Sequence, residues 1–154
     1  MRKIWHFLQP SKTIPHTSWT AKSRWSLTPK TLMVLFIGLA LFGIGEALLI
    51  QSTIGNSPWS VFAQGLSLHT PLSIGECTAL ISVGVLALWI PLREKPGFGT
   101  LSNIALIAIA IQVGVTVFPT QDSYGVGMLY CLIGIAMVGV GSALYITCGL
   151  GPGP

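Results

Sequence analysis

Four long apolar runs divide this chain, at residues 31–54, 74–92, 101–118 and 126–148, with short polar segments between them. Each run has roughly the 17–25 residues that cross about 30 Å of hydrocarbon at helical rise. Backbone N–H and C=O groups find no water in a bilayer, so the runs predict helices. A shorter stretch at 58–66 follows the first run, with Ser57 as its N-cap and Pro58 as its first residue. It is too short to span. It predicts an interfacial or a re-entrant helix, anchored by Trp59. Ser73 and Glu76 read as a capping box that opens the second span. The expected fold is all-α: a polytopic membrane protein with four transmembrane helices and one short extra helix.

Composition supports this class. Only 8% of the residues are charged and 51% are hydrophobic, whereas a soluble domain carries about a quarter charged residues. The three cysteines, Cys77, Cys131 and Cys148, lie in apolar runs. They have no metal-site spacing and read as packing residues.

Charge placement sets the topology. Six of the eight Lys and Arg residues fall within the first thirty positions, and the other two are Arg93 and Lys95. The positive-inside rule then puts the N-terminal tail and the 93–99 loop in the cytoplasm. The 55–73 and 119–125 segments carry no Lys or Arg and fall outside. The expected location is the inner (plasma) membrane, multi-pass. The basic residues suggest anionic lipid as a partner rather than nucleic acid. Residues 1–30 form a separate tail with Trp5, Trp19 and Trp25. It lacks the apolar core of a signal peptide, and Pro10 and Pro15 interrupt any amphipathic helix. A disordered or surface-lying tail is expected in preference to a cleaved address. Residues 31–154 form the transmembrane domain.

That domain contains an internal repeat. Residues 38–58 and 134–154 align without a gap at an offset of 96, and nine of the 21 positions are identical. The matches include Gly38/Gly134, Gly43/Gly139, Gly45/Gly141, Ala47/Ala143, Gly55/Gly151 and Pro58/Pro154. Gly and Pro mark special backbone geometry, so their pairing outweighs chance apolar similarity. The first span thus matches the fourth. A unit of three helices enters the membrane the second time in the opposite sense, the inverted arrangement of many transporters. Unit one would be 31–118, and 126–154 would begin unit two. Pro154 would begin a second short helix, so the sequence reads as a fragment or a truncated gene product.

Within the repeat, Gly43 with Ala47 and Gly139 with Ala143 form small-xxx-small pairs that predict close helix packing. Gly55 predicts a left-handed helix end, and Gly151, Pro152 and Pro154 the corresponding break. Glu46 lies deep in the first span, where an acid costs about 2.5–3.5 kcal/mol on insertion scales. It is either a proton or cation site or a hydrogen-bonded packing residue. Ser142 occupies its place in the second copy. Gln112, deep in the third span, is a candidate for a bond across to another helix. No catalytic constellation, cofactor motif or metal cluster stands out, so an enzyme is not expected.

The motifs "GNSPWSVFAQGLSLHTPLSIGE", "KPGFGTLSNI" and "GVGSALYITCGLGPGP" resemble those of the YczE-like bacterial membrane proteins, within the YczE/YyaS/YitT group. The resemblance covers residues 32–154. It implies an integral membrane protein, a transport role suspected for the group, and a longer pattern that continues Arg-Asp-Gly into further spans. The expected function is a transporter of an unknown small molecule or ion, built on inverted three-helix repeats. The alternative is a non-transporting scaffold or accessory factor. A second copy of the chain is a further candidate partner. Transport predicts a cavity reaching Glu46, and a scaffold predicts glycine faces packed shut.

Overall fold

The computed structural model describes residues 14–154, so Trp5, Pro10 and the rest of 1–13 lie outside the described residues. Within them the chain is all helical: α1 (Pro29–Ser52), α2 (Pro58–His69), α3 (Ile74–Leu92), α4 (Phe98–Val117) and α5 (Tyr124–Thr147). Four of these, α1 and α3–α5, are long and apolar enough to cross a membrane.

Local chemistry sets the helix ends. α1 begins two residues before its apolar run because Thr28 caps it, its hydroxyl accepting from Thr31 N–H at 3.3 Å, and Pro29 follows. Pro is preorganised for that position and lacks the N–H that a helix start would leave unpaired. α2 starts at Pro58 behind the Ser57 cap, and α3 at Ile74 behind the complete Ser73–Glu76 capping box, as read from the sequence. α2 runs three residues past its expected end, to His69. α4 begins at Phe98 rather than 101, and Gly97 N–H donates to Thr100 Oγ1 at 3.2 Å.

The end of α1 corrects one expectation. The left-handed residue is Thr53, with φ 58°, and Gly55 has no positive φ. At the offset of 96 Thr53 corresponds to Gly149, whose φ is 68°. Both copies therefore break at the same position. A β-branched residue there is strained, and the Thr53 hydroxyl holds the turn by donating to the Gln121 carbonyl at 2.8 Å.

A glycine seam joins α1 to α5. A Cβ on Gly45 would lie 2.8 Å from the Gly134 carbonyl oxygen, and one on Gly134 would lie 2.8 Å from that of Gly45. Gly38 and Gly141 oppose each other likewise, at 3.0 and 2.6 Å. The two helices run antiparallel with their backbones in contact. α4 packs on the other side of α1, where Gly43 fits against Ile107 and Ala110, and Ala47 against Gly114. Leu35, Leu39, Ile107, Ile111 and Tyr145 fill the core between these helices. α3 packs on α4, and α2 packs on α3.

Gly139 and Ala143 depart from the expected packing role. No described atom comes within 4 Å of a Cβ on Gly139, and Ala143 is exposed. The reason is geometric: the first-copy pair faces α4, and no described helix stands in that place beside α5.

Residues 14–28 lie across one end of the bundle, largely exposed, and are tied to it from Trp19 onward. Trp19 Nε1 donates to Thr147 Oγ1 at 3.1 Å, and Ala21 N–H to the Cys148 carbonyl at 2.8 Å. Arg24 donates to the Lys95 carbonyl, Phe98 N–H donates to the Arg24 carbonyl, and Trp25 meets Phe98 edge-on. This strap ties the start of α4 to the end of α5. Arg24, Lys30, Arg93 and Lys95 all lie at this end, called the basic end below.

The seam yields a stability prediction. Gly45→Val and Gly134→Val should each cost about 1–3 kcal/mol, as overpacking does. Gly84, in α3, has open space around it, so Gly84→Ala should be neutral or stabilising by up to about 1 kcal/mol. Unfolding midpoints in mixed detergent–SDS micelles measure both.

Candidate functional site

Glu46 sits in α1 six residues before Ser52, about 9 Å along the axis at helical rise. It is 5% exposed. An acid at that depth needs polar partners, and the first turn of α2 supplies them. Ser57 Oγ donates to Glu46 Oε2 at 2.8 Å, and Ser60 Oγ donates to the same oxygen. Ser57 also caps α2, accepting from Ser60 N–H at 3.3 Å. The start of the short helix therefore dips toward the interior of the bundle and meets the carboxylate there.

A cavity of about 490 Å³ opens beside this cluster. Its walls come from α1, α2, α3, α4, α5 and the last residues of the chain. Glu46, Ser57 and Pro58 border it, as do Ser142, Gly153 and Pro154. These two sets are the same positions of the two repeat copies, at the offset of 96. Both helix breaks thus converge on one space. Thr78 and Ser82 of α3 add hydroxyls, and Asn103 of α4 adds an amide. Among the described residues, no Lys, Arg or His lines the cavity.

The break at the end of α5 is held by the first turn of α4 and by a tyrosine of α5 itself. Thr100 Oγ1 donates to the Pro152 carbonyl at 2.6 Å, and Gly99 N–H to the Leu150 carbonyl at 2.8 Å. Tyr145 donates its hydroxyl to the Gly151 carbonyl at 2.9 Å. Gly151 has φ 110°, and a Cβ on it would lie 2.8 Å from Thr100 Oγ1. Only glycine fits both constraints.

Gln112 does make the expected bond to another helix: its Oε1 accepts from Gly75 N–H of α3 at 3.1 Å. It is not part of the Glu46 site, because it lines a separate cavity between α3 and α4. Trp59 borders the Glu46 cavity and is 40% exposed. Gly43, three residues before Glu46, and Ala47, directly after it, seat α1 on α4. A Cβ on Gly55 would meet nothing within 4 Å. Cys77 and Cys148 are buried and Cys131 is half-buried, all three as free thiols.

Sequence reading missed four contributors. Ser60 was hidden because a serine inside a helix carries no motif. Tyr145 was hidden because it aligns with Leu49 in the other copy. Thr100 had only its place in a family-like motif. Gln51 carries the fourth role: its Nε2 donates to the Val115 and Phe118 carbonyls, and its Oε1 accepts from Thr120 at 3.0 Å. Its depth near a span end gave no sign of that.

Four apolar spans around a helix-bounded cavity with a buried acid on its wall define a polytopic α-helical membrane protein. The chain belongs to the family of unknown function DUF6198, whose profile matches residues 29–154. It is 41% identical over 143 residues to a Haemophilus influenzae protein described as uncharacterized, covering 93% of this chain and 66% of that one. It is 31% identical over 123 residues to the uncharacterized membrane protein YczE of Bacillus subtilis, covering 77% of this chain and 56% of YczE. The resemblance read from the motifs therefore holds. A further similarity, 29% identity over 119 residues, is to the Na(+)/H(+) antiporter NhaA of Geobacter metallireducens, covering 73% of this chain and 29% of that one. The chain spans about two thirds or less of the length of these relatives. No solved structure matches it.

The carboxylate cluster gives a graded prediction. Glu46→Gln keeps an acceptor for both serines and should cost under about 1 kcal/mol of stability. Glu46→Leu strands two hydroxyls and should cost about 1–3 kcal/mol. Thermal unfolding in detergent compares the two variants.

Proposed function

We propose that this chain is part of an inner-membrane transporter built on inverted three-helix repeats, with Glu46 as its proton or cation site. The observation that carries this reading is the cavity bordered by Glu46 and by both helix breaks. Transporters of that design hold their sites near the midplane, between repeats, at interrupted helices. The glycine seam supports the repeat. Exchanging the two copies turns the Gly38–Gly141 contact into the Gly134–Gly45 contact. Such self-complementarity is what a two-fold relation between the copies requires. The similarity to part of an antiporter points the same way.

In this reading the basic end faces the cytoplasm, since Arg24, Lys30, Arg93 and Lys95 gather there. The exposed apolar faces of the spans meet lipid. The chain binds and passes a solute rather than transforming one. Movement of one repeat against the other would open the cavity first at one break and then at the other.

A second reading is a non-transporting scaffold or accessory factor. The glycine seam favours it, because those faces are packed shut backbone to backbone. The seam and the cavity are separate surfaces of α1, however, so closure of one leaves the other open.

Proteoliposomes of the complete gene product, loaded with a pH-sensitive dye and given an imposed pH gradient with sodium or potassium outside, test the proposal. Wild-type protein should collapse the gradient at least several-fold faster than empty liposomes, and Glu46→Gln should abolish the excess. Flux unchanged by the variant would sink the role of Glu46. A wild type no faster than empty liposomes with any cation would favour the scaffold.

A further inference from the structure

We infer that the Glu46 cavity binds a small organic cation, such as an alkylammonium group. This inference rests on the reading of that cavity as the solute site, and it names the class of solute.

Size comes first. A cavity of about 490 Å³ falls in the range of about 300–1,000 Å³ usual for small-molecule sites. It far exceeds what a proton or a bare metal ion needs. The donor set also disfavours a divalent metal ion. Among the described residues Glu46 is the only acid on the walls, whereas calcium takes six to eight oxygens, carboxylates among them, and zinc wants several His, Cys or carboxylate ligands.

Charge comes second. Among the described residues the lining carries one carboxylate and no Lys, Arg or His. An anionic solute would meet a negative group and no compensating cation. A cationic solute would supply the charge partner that the lining lacks. The carboxylate is also half free to receive one. Ser57 and Ser60 both donate to Oε2, and Oε1 has no protein donor among the described residues.

Shape and polarity come third. Phe42, Trp59 and Tyr145 line the same cavity. Aromatic faces attract ammonium groups, most strongly where water is excluded, and aromatic walls are the usual recognition device for alkylated ammonium. Ile104, Ile107 and Ile111 continue an apolar wall along α4, suited to alkyl substituents. A polyhydroxylated neutral solute would leave much of its hydrogen-bonding capacity unmet against these residues. One acid, three aromatics and an apolar wall fit a charged nitrogen with hydrocarbon around it.

The test is equilibrium binding of radiolabelled tetraethylammonium to the complete gene product in lipid nanodiscs. Wild-type protein should bind it saturably, with unlabelled tetraethylammonium competing and benzoate not. Glu46→Gln should weaken binding at least about tenfold, and Trp59→Leu by several-fold. Glu46→Asp should keep most of it. Asp122→Asn should leave it unchanged, since Asp122 does not border the cavity. Trp59 lies at the rim, so its variant gives a reading even where a Glu46 variant misfolds. No saturable binding to the wild type, or equal binding by Glu46→Gln and wild type, would overturn the inference. Binding that depends on Glu46 without any gradient collapse in proteoliposomes would uphold the solute class while removing transport. Gradient collapse without tetraethylammonium binding would do the reverse.

Discussion

Everything in this bundle depends on the contact of two helix backbones without side chains between them. In a bilayer, lipid is as apolar as leucine, so burial of apolar surface drives helices together only weakly. Close van der Waals approach has to do more of the work. Gly38, Gly45, Gly134 and Gly141 permit it, and the space a side chain would need at each is taken by a carbonyl oxygen and neighbouring atoms of the other helix. That contact fixes the antiparallel register of α1 and α5. The register then brings Ser57 and Pro58, which follow one helix, to the same space as Gly153 and Pro154, which follow the other. A slip of one turn along the seam would move a side chain into the glycine positions and separate the two breaks.

Non-helical backbone near membrane depth needs partners from protein, and the chain supplies them from remote positions. Thr100 and Tyr145 hold the carbonyls after α5. Gln51 holds the carbonyls at the end of α4. At the basic end the strap at 14–28 closes hydrogen bonds with Thr147, Cys148 and Lys95. None of these bonds is large by itself, at about 0.5–1.5 kcal/mol net. Their common effect is to keep the interrupted segments in one conformation, so that the cavity has defined walls.

Hydropathy made the spans legible because the bilayer imposes one length on all of them. The second span matches residue for residue, at 74–92. The others shift by two or three residues at their starts, where a cap such as Thr28 or Gly97 overrides the apolar pattern. The repeat was legible through identical glycines and prolines, yet identity misled at the helix break. Gly55 matches Gly151 and looked like the left-handed residue, while the residues that adopt that conformation in both copies are Thr53 and Gly149. Backbone conformation is shared there although the side chains differ. Small-residue spacing was also ambiguous. It marks a face capable of close packing, but only the partner helix decides whether the face is used, and Gly139 with Ala143 has none among the described residues. Contacts such as Ser60 to Glu46 were invisible because they join elements whose approach angle no local pattern encodes.

The two copies share a frame but not a chemistry, and that difference bears on what the cavity can do. Glu46 has Ser142 as its counterpart, Ser57 has Gly153, and Leu49 has Tyr145. The carboxylate with its two hydroxyl donors therefore belongs to one copy only. The other copy contributes an aromatic ring whose hydroxyl is already committed to the Gly151 carbonyl. In the transporter reading proposed above, a charged solute would be held off-centre, on the Glu46 side, with Pro58 and Pro154 both at the cavity wall. A backbone frame shared by two copies, with the charge on one of them, would then let a single site serve both helix breaks.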